Sequence, residues 1–169
     1  MFDIKRPTAT VDIVTDLDTL TQAIGLKKSI DEATPDTASM TDAEICAAKK
    51  STDRLRRELK TLLKAVDAST VTLTLRGLGS SQWNQIVAAN VTTDTKTGRQ
   101  SSDVAGMLTD ALPDMIVNAE QAGEPVDFDP QQDVPALLDA IVDTQTVELI
   151  STVQRLNTPT VAVPKALRE

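Results

Sequence analysis

The stretch VTLTLRGLGSSQWNQIVAAN, residues 71–90, contains the clearest local folding signals in the chain. Its first part alternates apolar and polar residues, a pattern typical of a strand with one buried face, and we predict a strand over 70–76. Gly77 and Gly79 then indicate a tight turn. The apolar spacing that follows predicts a helix ending near Asn90. The stretch therefore predicts a strand, a turn and a helix in direct succession.

The predicted helix begins with Ser80 or Ser81 as its cap and carries the single tryptophan of the chain, Trp83. One indole ring buries on the order of 200 Å², so a core anchor is the simplest interpretation. A partner-binding surface formed by Trp83 with Gln82 and Ile86 is the alternative, because tryptophan is enriched at binding hot spots. Both interpretations stay open at this point.

Upstream of this stretch we predict a helical hairpin and a second strand. A lone strand is unstable, and the best partner for 70–76 is 10–14, which gives a small two-stranded β-ribbon. Residues 16–30 and 41–66 show helical spacing and form the antiparallel hairpin, with the polar segment 31–39 as its loop. The apolar positions are Leu17, Leu20, Ile24 and Ile30 in the first helix and Leu55, Leu59, Leu62, Leu63 and Val66 in the second.

The second hairpin helix has a clear start and two distinct faces. Thr41 and Glu44 have the spacing of a capping box, in which each side chain bonds the backbone of the other residue. We select Leu55, Leu59 and Leu62 on its apolar stripe as candidate partner-binding residues. The opposite face is basic and carries Lys49, Lys50, Arg54, Arg57, Lys60 and Lys64. A charged face is usually only solvated, but self-association with the acidic half of another copy is an alternative.

Downstream of residue 90 the pattern predicts a polar loop over 91–102 and then helices. Apolar residues keep a helical period beyond residue 104, but proline inside a helix costs about 3 kcal/mol. We therefore predict a break at Leu112 and a second short helix that begins at Pro113. Asp129 and Pro130 are typical of an N-cap and a first helical position.

A last helix is predicted from a cap at Asp143 to Asn157. The predicted fold is mainly α: a hairpin with a β-ribbon, followed by a compact body of four to five helices. The domain boundaries are 1–67 for the strand and hairpin, 68–157 for the helical body, and 158–169 for a flexible tail.

Composition restricts the classes of function. The 169 residues contain no histidine and one cysteine, Cys46, and the net charge is −8. Residues 100–154 contain 11 carboxylates and no lysine or arginine, which disfavours ordinary nucleic-acid binding. No apolar stretch reaches the roughly 18 residues of a membrane span, and no signal peptide is recognised, so we expect a cytoplasmic chain.

Three motifs that suggest chemistry are incomplete. The Gly77-Leu78-Gly79 turn lacks the third glycine of a dinucleotide fingerprint, because Gln82 occupies that position. A calcium loop starting at Asp127 would need glycine and glutamate where the chain has Gln132 and Leu138. Cys46 has no histidine to act as its base. We therefore predict no catalytic residues, no metal site, no cofactor and no enzymatic activity.

The order of elements from 71 to 163 resembles the tail assembly chaperones of long-tailed, siphovirus-type phages, especially those that infect actinobacteria. The resemblance rests on the strand and turn before Trp83, on P-x-x-I at 113–116, and on the helix pair LLDAIVDTQTVELISTVQRLN. It continues in N-x-P-x-V-x-V-P-K at 157–165. Relatives often have an aromatic residue where this chain has Met107 or Leu108, and another near Val147.

The resemblance implies a non-enzymatic protein in the cytoplasm of an infected bacterium. Such chaperones bind the tape measure protein and help to recruit the major tail protein, the subunit of the tail tube. Two alternatives remain. One is a head–tail joining or minor tail protein that stays in the virion, and the other is an acidic protein that mimics DNA.

Overall fold

A computed structural model describes residues 5–33 and 40–158, and these residues form six helices and six strands. The predicted mainly α class is confirmed, together with a small antiparallel sheet. In chain order the elements are β1 (Thr8–Val14), α1 (Leu17–Glu32), α2 (Asp42–Ala68), β2 (Thr70–Arg76), α3 (Ser80–Ala89), β3 (Val91–Thr93), β4 (Gln100–Ser102), α4 (Val104–Met115), β5 (Ile116–Gln121), β6 (Glu124–Pro125), α5 (Pro130–Ala140) and α6 (Asp143–Asn157).

The principal sheet has four strands in the order β1-β2-β5-β6, so the prediction of a two-stranded ribbon was too small. The predicted neighbours β1 and β2 are adjacent. The Gly77 amide donates to the Pro7 carbonyl at 3.0 Å, and the Thr15 amide donates to the Ser69 carbonyl at 3.0 Å. Because these bonds join opposite ends of the two strands, β1 and β2 are antiparallel.

The prediction of a second helix after Pro113 was wrong. Helix α4 includes Pro113, ends two residues later, and is followed by β5. Ala122 and Gly123 have φ values of 52° and 81°, which suits the two-residue turn that joins β5 to β6. The helical period that we extended past the proline arose because Met115 and Ala119 are both buried, although they belong to different elements.

The prediction of a polar loop at 91–102 was also wrong, because this segment forms the β3–β4 hairpin. Val91 pairs with Ser102 and Thr93 pairs with Gln100 in antiparallel register. The Asp94 carboxylate accepts hydrogen bonds from the Lys96 amide at 2.8 Å and from the Thr97 hydroxyl at 2.9 Å. These short-range bonds order the turn, and they also hold the pKa of Asp94 below its ordinary value.

The described residues separate into two compact units. Residues 5–13, 72–120 and 124–158 form the first, here named the sheet unit, which contains α3 to α6. Residues 14–33, 40–71 and 121–123 form the second, here named the helix-pair unit, which contains α1 and α2. Residues 34–39 of the predicted 31–39 loop, and the predicted tail after Thr158, lie outside the described residues.

The core of the sheet unit is aliphatic and closely packed. The fully buried side chains include Leu73 and Leu75 of β2, Leu112 of α4 and Leu149 of α6. A Cβ atom added at Gly77 would lie 2.8 Å from the Leu156 carbonyl oxygen. Glycine is therefore required at the turn after β2 because the end of α6 passes so close to it.

The same turn is bonded to the last residue of α6. The Leu78 amide donates to Asn157 Oδ1 at 2.7 Å, and Asn157 Nδ2 donates to the Val153 carbonyl at 2.9 Å. This close approach explains the glycine at 77 without a bound nucleotide. The motif is thus a structural turn between β2 and α3.

In the helix-pair unit, α1 contacts α2. The predicted capping box is present, because the Thr41 amide donates to Glu44 Oε2 at 2.8 Å and the Glu44 amide donates to Thr41 Oγ1 at 3.4 Å. The predicted inward position of Ile24 was wrong, since its side chain is 61% exposed while Ala23 is buried. Ala23 lies seven residues before buried Ile30 and therefore shares its face, which Ile24 does not.

Two predicted helix starts also require correction. Gly79 is the N-cap residue of α3, and no side chain caps it, so neither Ser80 nor Ser81 has that role. Val142 precedes α6 as its N-cap residue, and Asp143 is the first helical residue. Asp143 still favours the helix, because a carboxylate in the first turn interacts with the positive end of the helix dipole.

Candidate functional site

An apolar groove lies between three helices of the sheet unit. Its lining residues come from α4, from α5 and from α6, and they are Val104, Ala105, Leu108, Leu138, Thr146 and Ile150. Its volume is about 280 Å³. All but Thr146 are aliphatic, so the groove offers apolar contact rather than hydrogen bonds. This chemistry suits the apolar face of a helix or another aliphatic group.

Local caps fix where the groove helices begin. Asp103 is the N-cap of α4, and its Oδ1 accepts from the Gly106 amide at 2.9 Å. Asp129 caps α5 through the Gln131 amide at 3.0 Å, with Pro130 at the first helical position, as predicted. These caps satisfy backbone amides at the helix starts, and they therefore help to position the lining residues that follow.

Trp83 lies beside this groove but is itself buried. It lines a narrower pocket that shares Val104, Leu108 and Ile150 with the groove. Its side chain is only 7% exposed, so the ring is a core residue. Direct contact with a partner would therefore require the pocket to open, and a partner-binding role for Trp83 stays a prediction.

The two neighbours of Trp83 in the predicted surface have different environments. The Gln82 amide donates to the Asp114 carboxylate of α4 at 2.5 Å, which ties α3 to α4. Ile86 is half-buried on the same helix. Gln82 and Ile86 remain accessible in part, whereas the ring of Trp83 does not.

The predicted residues of the second helix lie in the other unit. Leu55, Leu59 and Leu62 are all half-buried, and the same stripe contains the buried residues Thr52 and Val66. This stripe is the least exposed face of α2, and α2 contacts α1. A role in partner binding is untested for these leucines, and they form a surface separate from that of α3.

Each of the three helices that form the groove has a carboxylate near a groove-lining residue, either within the helix or at its N-cap. Asp103 directly precedes Val104, Asp139 directly follows Leu138, and Asp143 precedes Thr146 by one turn. All three are exposed. The ion pairs found in the described ranges 5–33 and 40–158 lie in α1 and α2, so none of them neutralises these carboxylates. The groove is therefore apolar inside, and the helices that form it carry only acidic charge over residues 100–154.

Two valines at the start of α6 are exposed. Val142 is 41% exposed and Val147 is 64% exposed, and Val147 follows the lining residue Thr146 in sequence. We did not predict this groove from the sequence. The available signal was the presence of aliphatic residues on more than one face of α5 and α6, which indicates contact with more than one neighbour.

A second depression lies on β5, separate from the groove. It has a volume of about 330 Å³, and its lining includes Val117, Asn118, Val126 and Phe128. Its exposed lining is more polar than apolar, and Val117 is 47% exposed. It has no cluster of titratable side chains, so we assign it no chemistry.

The carboxyl groups with a lowered pKa have local structural explanations. The Thr19 hydroxyl lowers the pKa of Asp16, and the Thr41 hydroxyl lowers the pKa of Glu44. The Lys96 amide does the same for Asp94. Each group caps a helix or orders a turn; Glu44 and Asp94 are exposed and Asp16 is half-buried. Their shifts therefore reflect short-range hydrogen bonds and not an acid–base site.

Within the described ranges, no three histidine, cysteine, aspartate or glutamate side chains are grouped so that they could hold a metal ion. The same residues include no helix that is long and apolar enough to cross a bilayer. Comparison with protein families, with curated proteins and with solved structures found no match to this chain.

Proposed function

We propose that this chain is a non-enzymatic tail assembly chaperone of a siphovirus-type phage. In this role it binds the tape measure protein in the cytoplasm of the infected bacterium and helps to recruit the major tail protein. The sequence resemblance over 71–163 supports the proposal. We also infer the finer arrangement of the helix-pair unit, in which α1 and α2 run antiparallel as a hairpin.

The apolar groove between α4, α5 and α6 is the single observation that supports a binding role most strongly. Tape measure proteins are long and helical, and an isolated amphipathic helix exposes an apolar face that favours aggregation. A groove lined by Leu108, Leu138 and Ile150 offers that face a place to pack. Coverage of apolar surface is what a chaperone must provide.

Co-expression with fragments of the tape measure protein tests this function. We expect a fragment to remain soluble and to co-purify with the wild-type chain, and to do so several-fold less with Val147→Glu. Val117→Glu is the matched control, because Val117 is also an exposed valine of the sheet unit but belongs to β5 and not to a helix that lines the groove. Equal recovery of the fragment with both variants would exclude the exposed side of α6 beside the groove as part of the binding site.

The alternative of a virion structural protein predicts a different outcome. Mass spectrometry of purified particles should find a chaperone nearly absent, whereas a joining or minor tail protein would be present in stoichiometric amounts. Detection of the chain at tail-protein levels would therefore reject our proposal.

The 11 carboxylates without a lysine or arginine over 100–154 favour one further candidate, a DNA mimic. Such a protein presents negative charge in place of phosphates to a DNA-binding protein. A mimic would retain nucleoid proteins on an affinity column and would lose them when DNA competes. The chaperone proposal predicts no competition by DNA.

A further inference from the structure

The helices that form the groove carry acidic side chains near it and no basic ones over residues 100–154. Asp103 is the N-cap of α4, Asp139 belongs to α5 and Asp143 to the first turn of α6. Each lies within one helical turn of a residue that lines the groove, and Asp143 shares a helix face with the lining residues Thr146 and Ile150, which follow it by three and seven residues. An occupant of the groove would therefore meet helices whose charge is negative.

The negative charge of these helices is not balanced by basic residues over 100–154. Residues 100–154 contain no lysine or arginine, and the ion pairs of the described residues are all in α1 and α2. Like charges that remain unpaired repel one another, and a partner of opposite sign relieves that repulsion when it binds. A negatively charged partner would add to it.

The chemistry of the groove favours an apolar helix face, because its lining is aliphatic apart from Thr146 and its volume of about 280 Å³ is at the lower end of the roughly 300–1,000 Å³ of small-molecule sites. Val142 and Val147 are exposed at the start of α6, whose Thr146 and Ile150 line the groove. Apolar side chains three and four residues apart on one helix could occupy the groove and cover these valines together.

We propose that the α4–α5–α6 groove binds an amphipathic helix of another protein whose apolar stripe is flanked by lysine or arginine. Apolar contact supplies affinity, and the acidic charge of the three helices selects the sign of the flanking charge. This inference rests on the proposed function and deepens it, because it states which segments of a tape measure protein the chain would bind.

Two synthetic helical peptides with the same apolar stripe test the proposal, one with lysine and the other with glutamate on its flanks. Fluorescence anisotropy of the labelled peptides against the full chain measures both affinities. We expect the lysine peptide to bind at least about tenfold more tightly at low salt, and its advantage to shrink as salt rises. Equal affinities, or preference for the glutamate peptide, would overturn charge selection.

A pair of neutralised variants locates the binding surface. Asp139→Asn with Asp143→Asn should weaken binding of the lysine peptide about three- to tenfold. Glu124→Gln with Asp127→Asn removes the same charge from exposed positions outside the groove and should leave affinity within about twofold. Equal weakening by both variants would mean a diffuse electrostatic effect and would overturn the assignment to the groove. Circular dichroism confirms that both variants remain folded.

Other occupants of the groove give distinct results. If the same Asp139 and Asp143 variant abolishes self-association in sedimentation experiments, a second copy is the occupant and the proposal fails. If removal of residues 159–169 is required before any peptide binds, the chain's own terminal segment is the occupant, and the proposal also fails.

The inference and the proposed function can fail independently. Tape measure fragments that bind wild type and the groove variants equally would leave the function intact and reject this site. Conversely, the lysine peptide could bind in the groove while no tape measure fragment does, which would reject the function and retain the site.

Discussion

The sheet unit and the helix-pair unit are stabilised in different ways. Every one of the largest fully buried side chains of the described residues belongs to the sheet unit. Among the described residues, the helix-pair unit buries four side chains, namely Ala23, Ile30, Thr52 and Val66. It contains the ion pairs Lys27–Asp31, Lys28–Glu32 and Asp53–Arg56, and the capping box.

This difference shows that helices of similar appearance in sequence need not depend on the same forces. The sheet unit depends on close packing between segments that are far apart in the chain, and substitutions there should be costly. The helix-pair unit depends more on interactions within three or four residues, which are individually weak. Its stability should therefore respond to helix propensity, caps and pH.

Leucine truncation in the two units gives the largest expected contrast. Leu112→Ala, at a side chain with no exposure, should lower the free energy of unfolding by about 2–5 kcal/mol. Leu63→Ala in α2 is the matched change at a side chain that is 46% exposed, and it should cost at most about 0.5 kcal/mol. Urea unfolding followed by Trp83 fluorescence and by circular dichroism measures both. Similar costs would contradict the difference in packing.

Glycine-to-alanine substitution should change stability in opposite directions in the two units. Gly77→Ala places a Cβ 2.8 Å from the Leu156 carbonyl oxygen, and the necessary shift should cost about 1–3 kcal/mol. Gly25→Ala in α1 meets no atom within 4 Å and should stabilise the helix by about 0.5–1 kcal/mol. Thermal and urea unfolding of both variants provide the test. Stabilisation by Gly77→Ala would show that the turn tolerates a side chain.

The smallest expected effect concerns the capping box of α2. Thr41→Ala should cost about 1 kcal/mol near neutral pH, because the Glu44 amide loses its acceptor and the Glu44 carboxylate loses the hydroxyl, while it keeps the backbone amide of residue 41. Thr61→Ala, within the same helix and exposed, is the control and should have little effect. Unfolding followed by circular dichroism, which is sensitive to the long helix, measures the difference.

The same box should respond to acid. Hydrogen bonds from the Thr41 hydroxyl and then from its amide hold the pKa of Glu44 below its ordinary value of 4.5. A lowered folded-state pKa means that the stabilisation is complete above about pH 4.5 and is lost as pH falls through the folded-state value. The difference in the free energy of unfolding between wild type and Thr41→Ala should therefore become smaller in acid. A difference that stays constant down to pH 3 would show that the Glu44 charge makes no contribution.

Local signals in the sequence correctly predicted those elements whose cause is local. The capping box at Thr41, the start of α5 at Asp129 and the strand at 70–76 all follow from residues within one turn or one strand of each other. The prediction failed after Pro113, because the spacing of buried residues from a helix and from the following strand matched one helical period. Periodicity identifies side chains that must be buried but not the element that covers them.

The groove is a second feature that local sequence patterns do not predict. We selected Trp83 from the sequence because its ring is large and it is the single tryptophan of the chain. In the structure Trp83 is buried beneath a pocket next to the groove. The exposed surface instead involves Leu138, Ile150 and Val147, none of which is unusual in sequence. A groove is the space that several helices leave between them, so no single helix encodes it.

The sequence by itself determined the mainly helical class, the caps of α2 and α5, the turn glycines and the strongly acidic stretch at 100–154, because each depends on neighbouring residues or on composition. Only the tertiary structure decided the four-stranded sheet, the inward position of Ala23 in place of Ile24, and the meeting of α4, α5 and α6 around one groove. Those features depend on which distant segments pack together, since burial is a property of the partner surface as much as of the residue itself.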